Sequence, residues 1–359
     1  MLTISVPDSL RMSVEAASGG RQTVLYTAKG QPTYMNIIPQ VDGPSLDATL
    51  PAGPHPAFIV GGVTKSQIMI GTFPGVIRNG ELLSLPGVDP TASQNHDTFV
   101  TNARANGIGH HVCTNAEYAL LALLCRANSF QPRGNSNWGR SSDATWETGR
   151  RNDGAAPGTA SGTGRTLTGS GPVSWRHDNT FSGISDLNGN VWEWSPGMRI
   201  VDGEIQILEN NDGALNTTDM GASSAAWRAI NGATGALVAP GHANAVKYAT
   251  SGTAAYTLVR ASGSSFEGMT NPGTTPVGAD ALALLRTYGL FPVASQLGGT
   301  IATPATNGDA FFITLTGERL PFRGGHWYSG AGAGVFALYL FLARSDASTS
   351  IGARPAFVL

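Results

Sequence analysis

The sequence predicts an α+β protein of short strands, few helices and much ordered irregular chain, and three observations carry this. Its 359 residues include 47 Gly and 21 Pro, which punctuate the chain into turns too often for a bundle of long helices. Apolar residues recur in short runs such as TVLYT, YMNIIPQ and VFALYLFLA, the pattern of strands. Only one segment, Thr114 to Ala127, combines a strong helical period with a start signal.

Taken in order, residues 1–50 hold TVLYT and YMNIIPQ between Gly and Pro, a short N-terminal β segment or attachment module that ends at the cluster PAGPHP. Residues 51–359 read as the main domain. It opens with AFIVGGVTKSQIMIGTF, which alternates around a Gly-Gly turn as a β-hairpin does. In the helix, Thr114 or Asn115 supplies the cap, Glu117 falls in the first turn, and Ala119, Leu120, Leu123 and Leu124 share a face. The tract from Gln131 to Gly171 lacks any apolar period and predicts ordered loop. Residues from about 239 to 307 are rich in Ala, Gly, Thr and Ser, with one helical candidate at Gly278 to Tyr288, and predict an insertion resting on the core. No repeat of solenoid or propeller period is present.

Composition narrows the function. Charged residues are 13% of the chain, against roughly 25% in an ordinary soluble domain. Net charge is −2 and lysine occurs only at Lys29, Lys65 and Lys247, so no basic stripe exists for a phosphate backbone and no nucleic-acid partner is expected. The N-terminus MLTISVPDSLRMSVEAA lacks the basic head and apolar core of a leader, and no run is long enough to span a bilayer. A soluble chain made in the cytoplasm, with no membrane insertion, is the expectation. Cys113 and Cys125 are too few for a disulfide scaffold. On one straight helix they would stand about 18 Å apart, and two buried free thiols are expected.

Two segments carry the most information. In GISDLNGNVWEW, from Gly183 to Trp194, the residues Leu187, Val191, Trp192 and Trp194 predict core anchors, while Asp186, Asn188, Gly189 and Asn190 predict a tight turn that satisfies itself. The last stretch, Arg323 to Leu359, sets a mixed group of residues into a frame of Gly, Ala and Arg. The frame holds Arg323, Gly324, Gly325 and Trp327 at one end and Gly352, Ala353, Arg354 and Pro355 at the other. Between them stand His326, Tyr328, Ser329, Tyr339, Phe341, Leu342, Asp346, Ser348 and Ser350. No single reaction needs that mixture, and it points to a binding surface.

GISDLNGNVWEW resembles the G-(L/I)-x-D-(L/M)-x-G-N-V-W-E-W motif of the formylglycine-generating-enzyme group within the C-type lectin fold, and RGGHW and IGARPA are similar to elements that close the same domain. The hairpin and early helix agree, so the resemblance covers most of residues 54–359 and implies small twisted antiparallel sheets. It leaves residues 1–50 and 239–307 unmatched. The oxidases of that group depend on a pair of reactive cysteines in the C-terminal half, and this chain has none after Cys125. Calcium-dependent lectins carry acidic-Pro-Asn or Gln-Pro-Asp loops with Trp-Asn-Asp, and neither triplet is present; QPRGN at Gln131 offers no carboxylate.

The run 323–359 is similar instead to the variable region of diversity-generating retroelement target proteins, which include phage tropism determinants at tail-fibre tips and surface-displayed proteins. In that family, replacement of template adenines turns Asn codons into many residues, but never into Trp, Gln, Lys, Glu or Met. The nine mixed positions contain none of those five types. The resemblance implies a C-terminal variable region over 323–359 and a macromolecular ligand, a cell-surface protein, met from a phage tail or another display site, with a homo-oligomer open. It implies no enzyme activity, cofactor or metal. The alternatives are a fixed-specificity structural or attachment protein of a virion, and an oxidase of the formylglycine-generating type.

The residues read the same way without the family. VFALYLFLA alone predicts a buried strand. Period-two geometry puts Phe336, Leu338 and Leu340 on one face and Ala337, Tyr339 and Phe341 on the other, which shows two aromatics to solvent if the first fills the core. His326 has no partner in sequence for work as a base and belongs with the binding face. Arg344 and Arg354 predict braces of the frame. His110-His111, pointing opposite ways on a strand, do not make a zinc site. Asp186, Asn188 and Asn190, with Asp202 and Asp212 downstream, offer oxygens for calcium, but a self-satisfied turn explains them first.

Overall fold

Capping and apolar spacing agree at one helix, Asn115–Ala127. Thr114 Oγ1 accepts from the Glu117 amide at 3.2 Å while the Glu117 carboxylate accepts from the Thr114 amide at 2.9 Å, a reciprocal box that satisfies two donors at the helix start. Residues Asn115 to Leu123 are all buried, so this helix runs through the middle of the molecule. Its leucines join Ile200, Ile205, Ile207, Phe311, Phe336 and Leu338 in the main core.

The computed structural model describes residues 8–260, 265–293, 296 and 308–359. They form an α+β protein of small sheets with few helices and long ordered loops. One five-stranded sheet runs in the order Gln22–Tyr26, Pro32–Pro39, Gln67–Gly71, Pro355–Phe357, His110–Val112. The last strand of the chain is thereby inserted between two early ones. A second, in the order Phe311–Ile313, Gly334–Leu340, Phe322–Gly324, Trp192–Trp194, Ile351–Ala353, brings the two informative segments of the sequence side by side. An eight-stranded sheet around Glu204–Ile207 completes the core.

Several expectations change in detail. The runs TVLYT and YMNIIPQ are strands, and they continue the sheet of Gln67–Gly71 by antiparallel pairing. They follow a helix, Ser9–Ser18, capped by the Asp8 carboxylate, which the polar makeup of SLRMSVEAAS had hidden. The hairpin at Gly61-Gly62 exists but is only Ile59–Val60 against Val63–Thr64; Gln67–Gly71 leaves it for the larger sheet.

The segment 239–307 does not rest on the core as expected; it builds part of it. Lys247–Ala249 and Thr257–Arg260 are strands of the eight-stranded sheet. The helix Ala279–Thr287 buries Ala281 and Leu285, and Tyr248, Leu258, Phe266, Leu290 and Phe291 lie in the main cluster. A few widely spaced large residues bury the segment, and the Ala, Gly, Thr and Ser between them mask the pattern. Residues 261–264, 294–295 and 297–307 of this segment lie outside the described residues.

Candidate ligand-binding surface

The frame is built from buried charge. Arg354 reaches Glu193 twice, at 3.0 Å and 2.6 Å, and donates to the carbonyls of Gly71 and Ser185. Arg323 donates to Asn115 Oδ1 at 2.9 and 2.7 Å and to the Gly289 carbonyl at 3.0 Å. Both guanidinium groups are wholly buried. They tie the second five-stranded sheet to the first sheet, to the helix Asn115–Ala127 and to the segment after Ala279–Thr287.

The turn of GISDLNGNVWEW holds loops together in the same manner. Asp186 and Asn190 adopt left-handed backbone with φ of 59° and 63°. The Asp186 carboxylate accepts from the Gly169 amide at 2.8 Å, and burial pushes its pKa up. Asn190 exchanges bonds with both the amide and the carbonyl of Thr166. Gly189, at φ 76°, lies so close to Asn135 that a Cβ would stand 2.2 Å from its carbonyl oxygen. Asp202 and Asp212 instead accept from the amides of Gly317 and Gly61, so these oxygens do not converge. Among the described residues no group of three or more His, Cys, Asp or Glu is placed to hold a metal ion. His111 hydrogen-bonds Glu117 and the Gly109 carbonyl, and His110 packs on Phe357.

The variable-looking residues lie on the other face of the second five-stranded sheet and on the loops beside it. Phe336, Leu338 and Leu340 fill the main core, as the period-two pattern predicts. On the opposite face the pairing places Phe312, Tyr339, Phe322 and Trp194 in one row across four strands. The helix His96–Arg104 covers the Trp194 end of this row: Phe99 and Ala103 pack with Trp192, Trp194, Ile351 and Ala353. The Tyr339 end is left partly open. Phe312 is 41% exposed there.

Tyr339 and Phe341 do not stand free in solvent, as the sequence pattern alone had placed them; they are half-buried. The Trp192 ring lies 4.3 Å from that of Tyr339, and Phe322 packs edge-on to Phe341 at 5.3 Å. Leu342 is also half-buried, at the edge of the same cluster.

From Tyr339 the aromatic surface continues through Trp192 to His326, 5.9 Å away, and to Tyr328, whose ring centre is 3.8 Å from that of His326. Tyr328 is 54% exposed and stacks on Trp138 at 5.7 Å. His326 Nδ1 lies 2.9 Å from Ser329 Oγ, and burial pushes its pKa down to about 4. The ring is therefore neutral near pH 7. Trp327, between them in sequence, is buried under Arg165, which pairs with Asp89 and donates to the Thr349 carbonyl. Gly324 and Gly325 are buried beside a β-bulge that turns the chain from strand to loop.

The remaining positions form a second, polar group. Asp346 Oδ2 accepts from the Ala343 amide at 2.8 Å and closes a turn, and Ser348 accepts from the Ser93 amide through its carbonyl. Arg344 braces the turn through Glu318 and Asp97, beside an open groove of about 470 Å³. Ser350 departs from the expectation of a surface position: it is only 8% exposed, with its hydroxyl turned onto Ser348 Oγ at 2.9 Å. The adjoining strand Ile351–Ala353 draws it inward.

Three residues of this surface were missed in the sequence: Trp138, Phe312 and Arg260. Phe312 shows as the outward residue of FFI, between buried Phe311 and Ile313. Trp138 is a lone aromatic in a Gly/Ser tract. Nothing in the sequence places Arg260 here.

No protein-family model matches this sequence, and no curated protein matches it. Among solved structures, Treponema denticola variable protein 1 is similar at 12% identity, over 94% of this chain and 98% of that one, with a TM-score of 0.28. A likeness of that size carries no argument.

Proposed function

We propose that this chain is a ligand-binding protein whose C-terminal surface is diversified by a retroelement, a rigid scaffold presenting variable side chains to a macromolecular ligand such as a cell-surface protein. One observation supports this most: the two sets of residues that alternate in 323–359 separate in space. Arg323, Trp327 and Arg354 are buried with Trp192 and Trp194, whereas His326, Tyr328, Ser329, Tyr339, Phe341, Leu342, Asp346 and Ser348 all reach the surface in part or fully. Side chains there can change while the frame keeps its bonds. Tyr supplies contact area with few rotors to freeze, and Ser and Asp supply adaptable hydrogen bonds.

The reading is of a binding protein and not of an enzyme. Cys113 and Cys125 are buried free thiols whose pKa burial pushes up, which disfavours the reactive thiolate an oxidase needs. Among the described residues no helix is long and apolar enough to cross a membrane.

The DNA flanking the gene tests the proposal. A near-copy of the segment encoding Arg323 to Leu359, differing mainly at adenines and lying beside a reverse transcriptase gene, is the expected result. Its absence would leave a fixed-specificity attachment or structural protein.

A further inference from the structure

We propose that Arg260 and Phe312 form a fixed anchor at the rim of this surface that takes a carboxylate side chain from an acidic peptide segment of the partner protein, an inference that rests on the proposed binding role of the face. Arg260 ends the strand Thr257–Arg260 and sets its guanidinium over the Phe312 ring, 4.7 Å from the ring centre. Phe312 in turn packs on Tyr339 at 5.7 Å and Phe341 at 5.5 Å. The cation thus stands where the open aromatic row meets the eight-stranded sheet.

Arg260 stands over the Phe312 ring without a counter-charge. Around the same surface, Arg165 pairs with Asp89, Arg344 with Glu318 and Asp97, and Arg151 with Asp153. Arg260 has no carboxylate within ion-pair distance among the described residues, and the residues outside the description contain no Asp or Glu. Its Nε is buried and without a hydrogen-bond partner among the described residues.

A guanidinium held against a ring and partly shielded from water gains more from a carboxylate than a free one does. The same site does not suit a polyanion, since the whole chain has three lysines and a net charge of −2. One carboxylate flanked by apolar groups matches one cation flanked by Phe312, Tyr339 and Phe341. Arg260 and Phe312 lie outside 323–359, so this contact persists while its neighbours vary.

The test is selection of binders from a random linear peptide library by the wild-type chain, by Arg260→Gln and by Phe312→Ala. Wild type is expected to enrich Asp or Glu beside apolar or aromatic residues, and Arg260→Gln to lose the acid enrichment while keeping the apolar one. The best wild-type peptide should weaken by about tenfold to a hundredfold on Arg260→Gln, and by the same factor when its own acid becomes the amide. The peptide-side change keeps the test valid if the protein variant melts early. Peptides that need Phe312 but no acid would overturn the anchor and leave the binding surface standing. Peptides that depend on neither Arg260 nor Phe312 would overturn both. Heparin bound as tightly as the peptides, and through Arg260, would overturn the choice of an acidic peptide over a polyanion.

Discussion

Glu193→Gln should destabilise the fold strongly although it changes almost no volume. Arg354 is 0% exposed and Glu193 2%, and their two contacts, at 3.0 and 2.6 Å, are the carboxylate's bonds to the frame. Neutralising the acid leaves a buried guanidinium without its counter-ion, a change that costs about 3–5 kcal/mol. Unfolding entropy of about 2.1 cal/mol/K per residue, taken over 359 residues, comes to about 0.75 kcal/mol/K. The melting temperature should therefore fall by about 4–7 °C. Differential scanning calorimetry near pH 7, without ligand, reads it directly. Tyr328→Ala is the control: that side chain is 54% exposed, so its loss should cost about 0.5 kcal/mol or less, under about 1 °C. A Glu193→Gln protein melting within a degree of wild type would refute the claim that buried charge holds the frame.

Four further outcomes are expected. Tyr339→Ala should cost about 1–3 kcal/mol, between Tyr328→Ala and a true core aromatic, because its ring is half-buried against Trp192; urea unfolding measures the order. Burial holds the His326 pKa at about 4 against an unfolded value near 6.5. The unfolded state then binds more protons between those values, so stability is full above pH 6.5 and declines as pH falls toward 4; His326→Phe should flatten part of that decline in melts taken across the range. Gly164→Ala should displace Trp327, since the added Cβ would stand 2.2 Å from its Cδ1 at a φ of +54°, and a shift in tryptophan fluorescence with weakened ligand binding reports it. Native protein should leave Cys113 and Cys125 unreacted with an aromatic disulfide reagent and expose both only on unfolding; a fast-reacting thiol in the native state would revive the oxidase alternative.

Much of this was legible because single residues had only one physical use. Thr114 and Glu117 fix the start of the central helix through a local bond pattern, and Trp192 and Trp194 beside Asn190 and Gly189 define a turn that must be buried. The period of VFALYLFLA told correctly which face enters the core. It could not tell what covers the other, because the helix His96–Arg104, over the Trp194 end of the row, and the strand Phe311–Ile313, beside Tyr339, come from other parts of the chain. Ser350 was misplaced for the same reason: its burial follows from the strand after it and from its contact with Ser348. The segment 239–307 was misjudged because Tyr248, Leu258, Phe266 and Leu285 are too far apart in a small-residue background to show a period, and only tertiary packing gathers them. Arg260 over Phe312 is likewise a contact between two sheets.

The central claim is that a buried frame and a changeable surface coexist in 323–359. The most direct measurement is to randomise His326, Tyr328, Ser329, Tyr339, Phe341, Leu342, Asp346 and Ser348 together, and in a second library Arg323, Gly324, Gly325, Trp327 and Arg354, and to score the fraction of folded, protease-resistant members in each. Many folded members in the first library and almost none in the second are predicted. Equal losses in both would contradict the account and make the C-terminal run an ordinary piece of core.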